Sequence, residues 1–469
     1  MGKTLQDKLG DTELPSPGKR IDIHCHFFNR KELSVFMLLD IARMLSRAEL
    51  TLRESRRDVR REREAQHLSR GVRSALLFAV TSMLSPKRIL GKLKRKEEGF
   101  AFCPLTLDLY GLTQKQEDEE DALVNTDRLI DLVREEVEKV SERSAKLSEE
   151  KGQTLGRRGM AIELRRMGGM LKKLLSKRAY HSTWIGGKTP DGFGRQVEEM
   201  ERLTRERPTE VFPFYSVDPR RESNYKVRTD GTYDLTPITS KLRRNGGVFV
   251  GFKLYTPLGY SPTHPMLMAM YAYCEREGVP VIAHVSGSGL TTLANRLWVE
   301  GDVYEDGEVK EVRGVWEFKE RGLMSRERVL EHCETLNHPM LWEKVLRRFP
   351  NLKIDLAHFG HLPGTTVWTR HIWGLMTERK EDGSRAFPNL YTDLSNIPTE
   401  EGLRRMREGF FVKEEDLKRR FLYGSDYYMN MIYERDMEEY AEHFKRVFTS
   451  EEWDMMTIEN PRRFLSVKG

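Results

Sequence analysis

Arg20-Ile21-Asp22-Ile23-His24-Cys25-His26-Phe27-Phe28 reads as a β-strand that presents two imidazoles. Alternate side chains of a strand share a face. His24 and His26 are thus expected to point one way with Asp22 below them, and Ile21, Ile23 and Cys25 the other way. Two imidazoles side by side on a rigid strand make half of a divalent-metal site. An isolated His-x-His is more often a hydrogen-bonded pair, so the ends of the later strands decide between these readings.

Those strands are short apolar runs that stop at a metal-type or charged residue. The run Gly246–Lys253 ends in Lys253, Gly278–His284 in His284, Asn351–His358 in His358, and Arg420–Asp426 in Asp426. Phe100–Leu107, Val211–Val217 and Leu390–Leu394 supply strands 2, 3 and 7. Near-continuous apolar strands separated by helical patterns predict parallel strands buried on both faces. In a parallel barrel every strand delivers its carboxyl end to one rim, where the chemistry sits. His24, His26, Lys253, His284, His358 and Asp426 are therefore expected at one place.

At this point the chain resembles the amidohydrolase superfamily, whose metal pattern is His-x-His on strand 1, often a lysine on strand 4, histidines on strands 5 and 6, and an aspartate on strand 8. Flanking words narrow the resemblance to the amidohydrolase-related branch of aminocarboxymuconate semialdehyde decarboxylase, resorcylate-type decarboxylases and pyrone lactonases. They are Phe214-Tyr215-Ser216-Val217-Asp218-Pro219-Arg220, Gly251-Phe252-Lys253-Leu254-Tyr255, Leu356-Ala357-His358-Phe359-Gly360, Asn389-Leu390-Tyr391-Thr392-Asp393-Leu394-Ser395 and Asn460-Pro461-Arg462-Arg463-Phe464-Leu465. The resemblance spans about residues 18–29 and 208–468. It implies an α/β fold, a TIM-like (β/α)8 metal-dependent hydrolase barrel. It also implies either hydrolysis or nonoxidative decarboxylation, because one fold hosts both.

The chain has 469 residues, against ~250 for a plain barrel. Large helical insertions are expected after strands 1 and 2, at about 31–97 and 113–207, with a lid-like connection after strand 5 at about 285–337. The latter carries Trp298, Tyr304, Trp316 and Phe318. Residues 1–17 read as a polar leader, and 18–469 as one barrel domain. No apolar run reaches the ~18 residues of a spanning helix, and the polar start is no signal peptide. Four cysteines without paired spacing point to reduced thiols. Together these make a cytoplasmic location the expectation.

Net charge is +6, with basic clusters at Lys87–Lys96 and Arg157–Arg178. A polyanion- or protein-binding module is the competing class. The preferred reading is amphipathic helices packed on the barrel with solvated basic faces, so nucleic acid is not an expected partner. A small-molecule substrate is expected, and a homo-oligomer is compatible.

Three imidazoles and a carboxylate suit zinc first, with iron or manganese as alternatives. His24, His26, His284 and Asp426 are the expected ligands, with His358 and Lys253 as further candidates. Asp426 is also expected to accept a proton from the attacking water. His358 or His361 is expected to polarise a substrate oxygen. By the resemblance, His358 orients water or substrate in one-metal members, and Lys253 stands where a carbamylated lysine bridges two metals. A cationic Lys253 paired with Asp218, Asp393 or a substrate anion, and hence one metal, is preferred. Asp393 and Ser395 are expected to hydrogen-bond the ligands. Tyr255 and Arg220 are candidate substrate contacts, Arg220 being equally suited to a structural ion pair. The expected activity is cleavage of an amide, ester, lactone or related bond, the alternative being decarboxylation of an aromatic or unsaturated acid.

Overall fold

A computed structural model describes residues 15, 18–27, 86–96, 99–108, 192–292, 294–320, 326–361, 365–397, 399–427 and 437–465. Most of both predicted insertions lies outside the described residues, as do the leader apart from Pro15 and the basic stretch Arg157–Arg178.

Short, almost wholly buried strands form the centre. They are β1 (Arg20–Cys25), β2 (Phe100–Pro104), β3 (Phe214–Ser216), β4 (Gly251–Leu254), β5 (Val281–Ser286), β6 (Ile354–His361), β7 (Leu390–Asp393) and β8 (Phe421–Leu422). The strands β3, β4, β5, β6, β7 and β8 lie side by side in that order in one parallel sheet, and β1 pairs in parallel with β2. Isolated parallel bridges join Phe102 to Val211, Leu105 to Phe214, and Cys25 to Tyr427. Burial on both faces explains the unbroken apolar runs, since each strand packs both inward and against helices.

The strand ends differ from the sequence expectation in one instructive way. His358 does not end its strand; β6 continues to His361 with a register shift between Ala357 and His361. His358, Phe359 and Gly360 all have left-handed backbone, with φ of 63°, 49° and 63°. Simple alternation also fails on β1. Ile21 and Ile23 pack with Ala101, Phe214, Ile282 and Phe464, whereas Cys25 and Phe27 join the larger core beside Phe102 and Tyr423. The β1–β2 register shifts between Asp22 and Cys25, which breaks the two-residue period.

The connection after β5 is a long antiparallel hairpin, Arg296–Glu305 with Glu308–Glu317. Its turn is Asp306-Gly307, both with positive φ (52° and 92°), the geometry a two-residue hairpin turn requires. That Asp-Gly pair is a hairpin signal legible in the sequence. The hairpin packs Leu297, Val299 and Val303 on Phe318 and Leu336. It also docks on α4 (Arg326–Asn337) and α5 (Pro339–Arg348), and its Glu300–Asp302 segment meets Ser261 and His264 at the start of α3 (Pro265–Glu277). Each of α3 and α5 begins with a capping His-Pro-Met-Leu. His264 Nδ1 accepts from Met266 N, and His338 Nδ1 from Met340 N. Tyr304 stacks on His338 at 3.6 Å, and Ser261 Oγ donates to the Asp302 carbonyl at 2.7 Å.

The first basic cluster lies on α1 (Pro86–Lys96), which buries Ile89, Leu90 and Leu93. Lys87 and Lys94 pair with Glu206 and Glu210 at 2.9 and 2.8 Å, at and just beyond the end of α2 (Gly192–Glu206). The four cysteines form no disulfide and are buried. Among the described residues no helix is long and apolar enough to cross a membrane.

Asp22 ties β1 to the chain after β8. Its carboxylate accepts from Ser425 N (3.0 Å), Ser425 Oγ (2.5 Å) and His24 N (3.2 Å). Asp22→Ala would strand these buried donors, each unsatisfied donor costing ~1–3 kcal/mol. The expected loss is at least about 3 kcal/mol in urea unfolding. A loss below about 1 kcal/mol would show that this tie is dispensable.

Candidate metal centre

The site is built from the carboxyl ends of β1, β5, β6 and β7 and the segment after β8. His24 leaves β1 with Nδ1 2.7 Å from Asp393 Oδ2. His26 Nδ1 faces the Leu105 carbonyl at 3.3 Å. His284 Nε2 lies 3.0 Å from the Ser288 carbonyl. His358 Nδ1 is 2.8 Å from Ser395 Oγ. Each ring therefore gives one nitrogen to a protein oxygen and turns the other inward.

The hydrogen-bond partners assign the tautomers. A carbonyl accepts only, so His284 carries its proton on Nε2 and His26 on Nδ1. An ionised Asp393 takes the His24 Nδ1–H. The single hydroxyl proton of Ser395 goes to Asp393 Oδ1 in a short hydrogen bond, so Ser395 accepts from His358 Nδ1–H. The four inward nitrogens, His24 Nε2, His26 Nε2, His284 Nδ1 and His358 Nε2, are then all lone pairs. His284 Nδ1 and His358 Nε2 stand 3.0 Å apart. Asp426 Oδ1 joins them, 3.2 Å from His26 Nε2 and 3.8 Å from His24 Nε2.

Two lone pairs held that close repel unless a proton or a cation lies between them. Burial holds the rings neutral. It lowers His24 to about 4, and lowers His284 and His358 further than any nearby carboxylate restores them. Burial alone would raise Asp393 and Asp426, but hydrogen bonds and neighbouring rings keep both below the ordinary carboxylate range. Neutral imidazoles with an ionised carboxylate are the donor set of a first-row divalent metal, so these residues fit the expected ion. His24, His26 and Asp426 place ligand atoms within 4.8 Å of one another. His24, His358 and Asp393 do so too, but there the His24–Asp393 contact is a hydrogen bond through Nδ1. The first group turns its donor atoms toward one point, and the second fixes ring orientation.

Backbone fit supports the cage. Gly424 lies under His24, where an added Cβ would stand 2.6 Å from His24 Cβ. Asp426, like His358, has left-handed backbone (φ 47°). Such conformations cost ~1–3 kcal/mol each in non-glycine residues and gather at functional sites.

Lys253 is fully buried below the cage, and its Nζ has no hydrogen-bond partner. Burial lowers it to about 8, while the charges of Asp393, Asp355 and Asp426 pull it back up. The expected pairing with Asp218 does not occur, because Asp218 holds Arg220 through two contacts at 2.9 and 2.5 Å. Arg220 further donates to the carbonyls of Gly259 and Leu258 at 3.0 Å. Its guanidinium thus makes the structural ion pair. Tyr255 is brought to the site as a neighbour of a ligand, its ring stacked on His284 at 4.1 Å. His361 closes β6, partly exposed, and its carbonyl accepts from Ser286 Oγ at 3.0 Å. His371 is bonded to Glu343 at 2.9 Å and belongs to the helical surface.

Residues 235–467 match the amidohydrolase family model. This match, over just under half of the chain, supports an enzyme of the amidohydrolase family. The matched span contains Lys253, His284, His358 and Asp426 and omits His24 and His26, which the fold itself carries to the same rim. A crystal structure titled amidohydrolase II is 14% identical, over 58% of this chain and 77% of that one, with a TM-score of 0.35. An amidohydrolase 2 from Bifidobacterium longum subsp. infantis is 14% identical, over 64% and 87%, with a TM-score of 0.30. No curated protein matches the chain.

Sequence reasoning gave Asp393 only a supporting place, yet it touches His24, the His358 backbone and Ser395 at once. The signal was present, since Leu390–Asp393 is one more apolar run stopping at a carboxylate. Asp393→Asn should weaken metal affinity roughly 10–100-fold, the usual scale for losing an orienting partner. Chelator competition checks this, and an affinity within two-fold of wild type would demote Asp393 to scaffold.

Proposed function

We propose that the parallel strands close into a (β/α)8 barrel and that its rim is a one-metal hydrolytic centre acting on an amide, ester, lactone or related bond. The observation that carries this reading is the approach of the His24 and His26 ring nitrogens to Asp426, beside the close His284–His358 pair. His24, His26, His284 and Asp426 would hold the ion, with zinc first among the candidates by donor type and iron or manganese next. Such an ion supplies Lewis acidity, which acidifies water and polarises a carbonyl.

The chain's own groups do the rest. Asp426 spends Oδ1 toward the rings, and its second oxygen accepts the proton of the attacking water. His358, oriented by Ser395, faces the same point and positions water or the substrate oxygen. His361 stands beside it at the end of β6. Lys253 stays cationic, because the charges of Asp393 and Asp426 favour its ammonium, and this favours one metal over two. The ion pairs of Lys87 and Lys94 weaken the polyanion-binding alternative at that cluster.

Elemental analysis of protein produced with zinc, iron and manganese available should find about one metal per chain, lost in His24→Ala/His26→Ala. Asp426→Asn should keep the fold and lower turnover by about 10²–10⁴-fold, the usual contribution of a general base. Screening esters, lactones and amides beside aromatic acids, with carbon dioxide measured, separates hydrolysis from decarboxylation. Metal-free wild type, or undiminished turnover in Asp426→Asn, would overturn the reading.

The hairpin after β5 is the element we assign to specificity, since it leaves a strand that carries a ligand. Trp298 is half exposed (52%) opposite Val315, whereas Trp316 leans on the Phe318–Leu336 core. Trp298→Ala/Trp316→Ala should shift KM or kcat at least three-fold on the identified substrate. Steady-state kinetics indistinguishable from wild type would remove the hairpin from the binding role.

A further inference from the structure

The chain does not run away from the site after β5. It folds back over the His284 ring. Ser286 Oγ donates to the His361 carbonyl and accepts from Ser288 N at 3.2 Å. Ser288 then presents its carbonyl to His284 Nε2. Leu290 N donates to Tyr255 Oη at 2.9 Å, and Tyr255 lies flat on His284, the rings 11° apart. The far end is fixed by Thr292 N on the Pro257 carbonyl (2.8 Å) and by Arg328, which donates to the Thr292 carbonyl at 3.0 Å.

Gly289 is the narrow point of this strap. Its φ is +120°, and an added Cβ would lie 2.3 Å from Tyr255 Oη and 3.1 Å from His284 Nε2. Nothing larger than hydrogen fits between the tyrosine hydroxyl and the imidazole without moving one of them.

We infer that Ser286–Leu290 and Tyr255 form a tautomer lock on His284. The strap carbonyl holds the ring proton on Nε2, and the stacked tyrosine fixes the ring plane. Nδ1 is thereby committed, as a lone pair, to the point it shares with His358 Nε2. Tyr255 and Gly289 are positioning residues and act through His284. The consequence for metal affinity rests on the metal-centre reading; the lock itself does not.

The test uses full-length chain with ¹⁵N-labelled histidine, stripped of metal by a chelator. His284→Gln identifies the His284 signals in a long-range proton–nitrogen correlation spectrum. Wild type should show His284 with its proton on Nε2 alone. Gly289→Ala should show mixed tautomers and bind zinc about 10–100-fold more weakly, as lost orienting contacts do. Circular dichroism and a thermal melt verify the fold. If Gly289→Ala does not fold, Tyr255→Phe decides, since it keeps the ring and removes the acceptor of Leu290 N. It should show the same mixing in smaller degree. A folded variant with unchanged tautomer and unchanged zinc affinity would overturn the lock. If wild type binds no zinc, the metal-centre reading fails, and the tautomer spectrum of the metal-free protein still judges the lock.

Discussion

Asp393 is the interaction on which the site depends. One oxygen takes the His24 ring proton, and the other takes the His358 backbone N–H (2.9 Å), the Ser395 backbone N–H (3.0 Å) and the Ser395 hydroxyl. A single carboxylate thus orients two histidines on different strands and fixes the serine that orients one of them a second time. Burying an ionised carboxylate costs several kcal/mol unless its lone pairs are filled. Here four donors fill them. The arrangement is rigid because any one displacement would leave a buried charge short of a partner.

Below that hub the interior is polar where a plain barrel is packed with branched apolar residues. Lys253 and Asp355 both stand opposite Ile282 in the strand register, and neither their ammonium nor their carboxylate finds a hydrogen bond. Burial and the Asp393 charge raise Asp355 well above the ordinary carboxylate range, which favours its neutral form. Lys253 faces Asp393 and Asp426 electrostatically, and their charges favour its ammonium form.

The strand-borne part of this centre was legible in the sequence because strand chemistry is local. Apolar runs ending in Lys253, His284, His358 and Asp426 gave the order and the rim, and the His-x-His pair gave the first two rings. What could not be read was register. The alternation rule assigned Cys25 to the face of Ile21 and Ile23, and the shift in pairing after Asp22 moved it into another core. The Arg220 ion pair with Asp218 and its two carbonyl contacts depend on how the loops after strands 3 and 4 meet, which the sequence does not show. The strap over His284 was invisible for the same reason. Gly287-Ser288-Gly289 reads as an ordinary loop, and only the approach of Tyr255 from another strand gives its glycine a cause.

Backbone strain joins these observations. His358 and Asp426 both hold left-handed conformations that a regular strand end would not adopt. In β6 the consequence is direct. An extended residue at 358 would continue the alternation of Asp355, Leu356 and Ala357. The positive φ at His358, Phe359 and Gly360 instead turns the His358 imidazole toward His284 while its backbone N–H stays on Asp393. In the chain after β8, the same conformation at Asp426 lets its N–H reach the His24 carbonyl at 2.7 Å while its carboxylate faces the rings of His24 and His26. Both residues thus direct backbone and side chain to separate partners at one spot, which an extended strand cannot do. The cost, ~1–3 kcal/mol apiece, is met by the hydrogen bonds that Asp393 and β1 supply at those positions. Geometry at the centre and pairing between strands are one constraint, so the ligands cannot relax without opening the sheet that carries them.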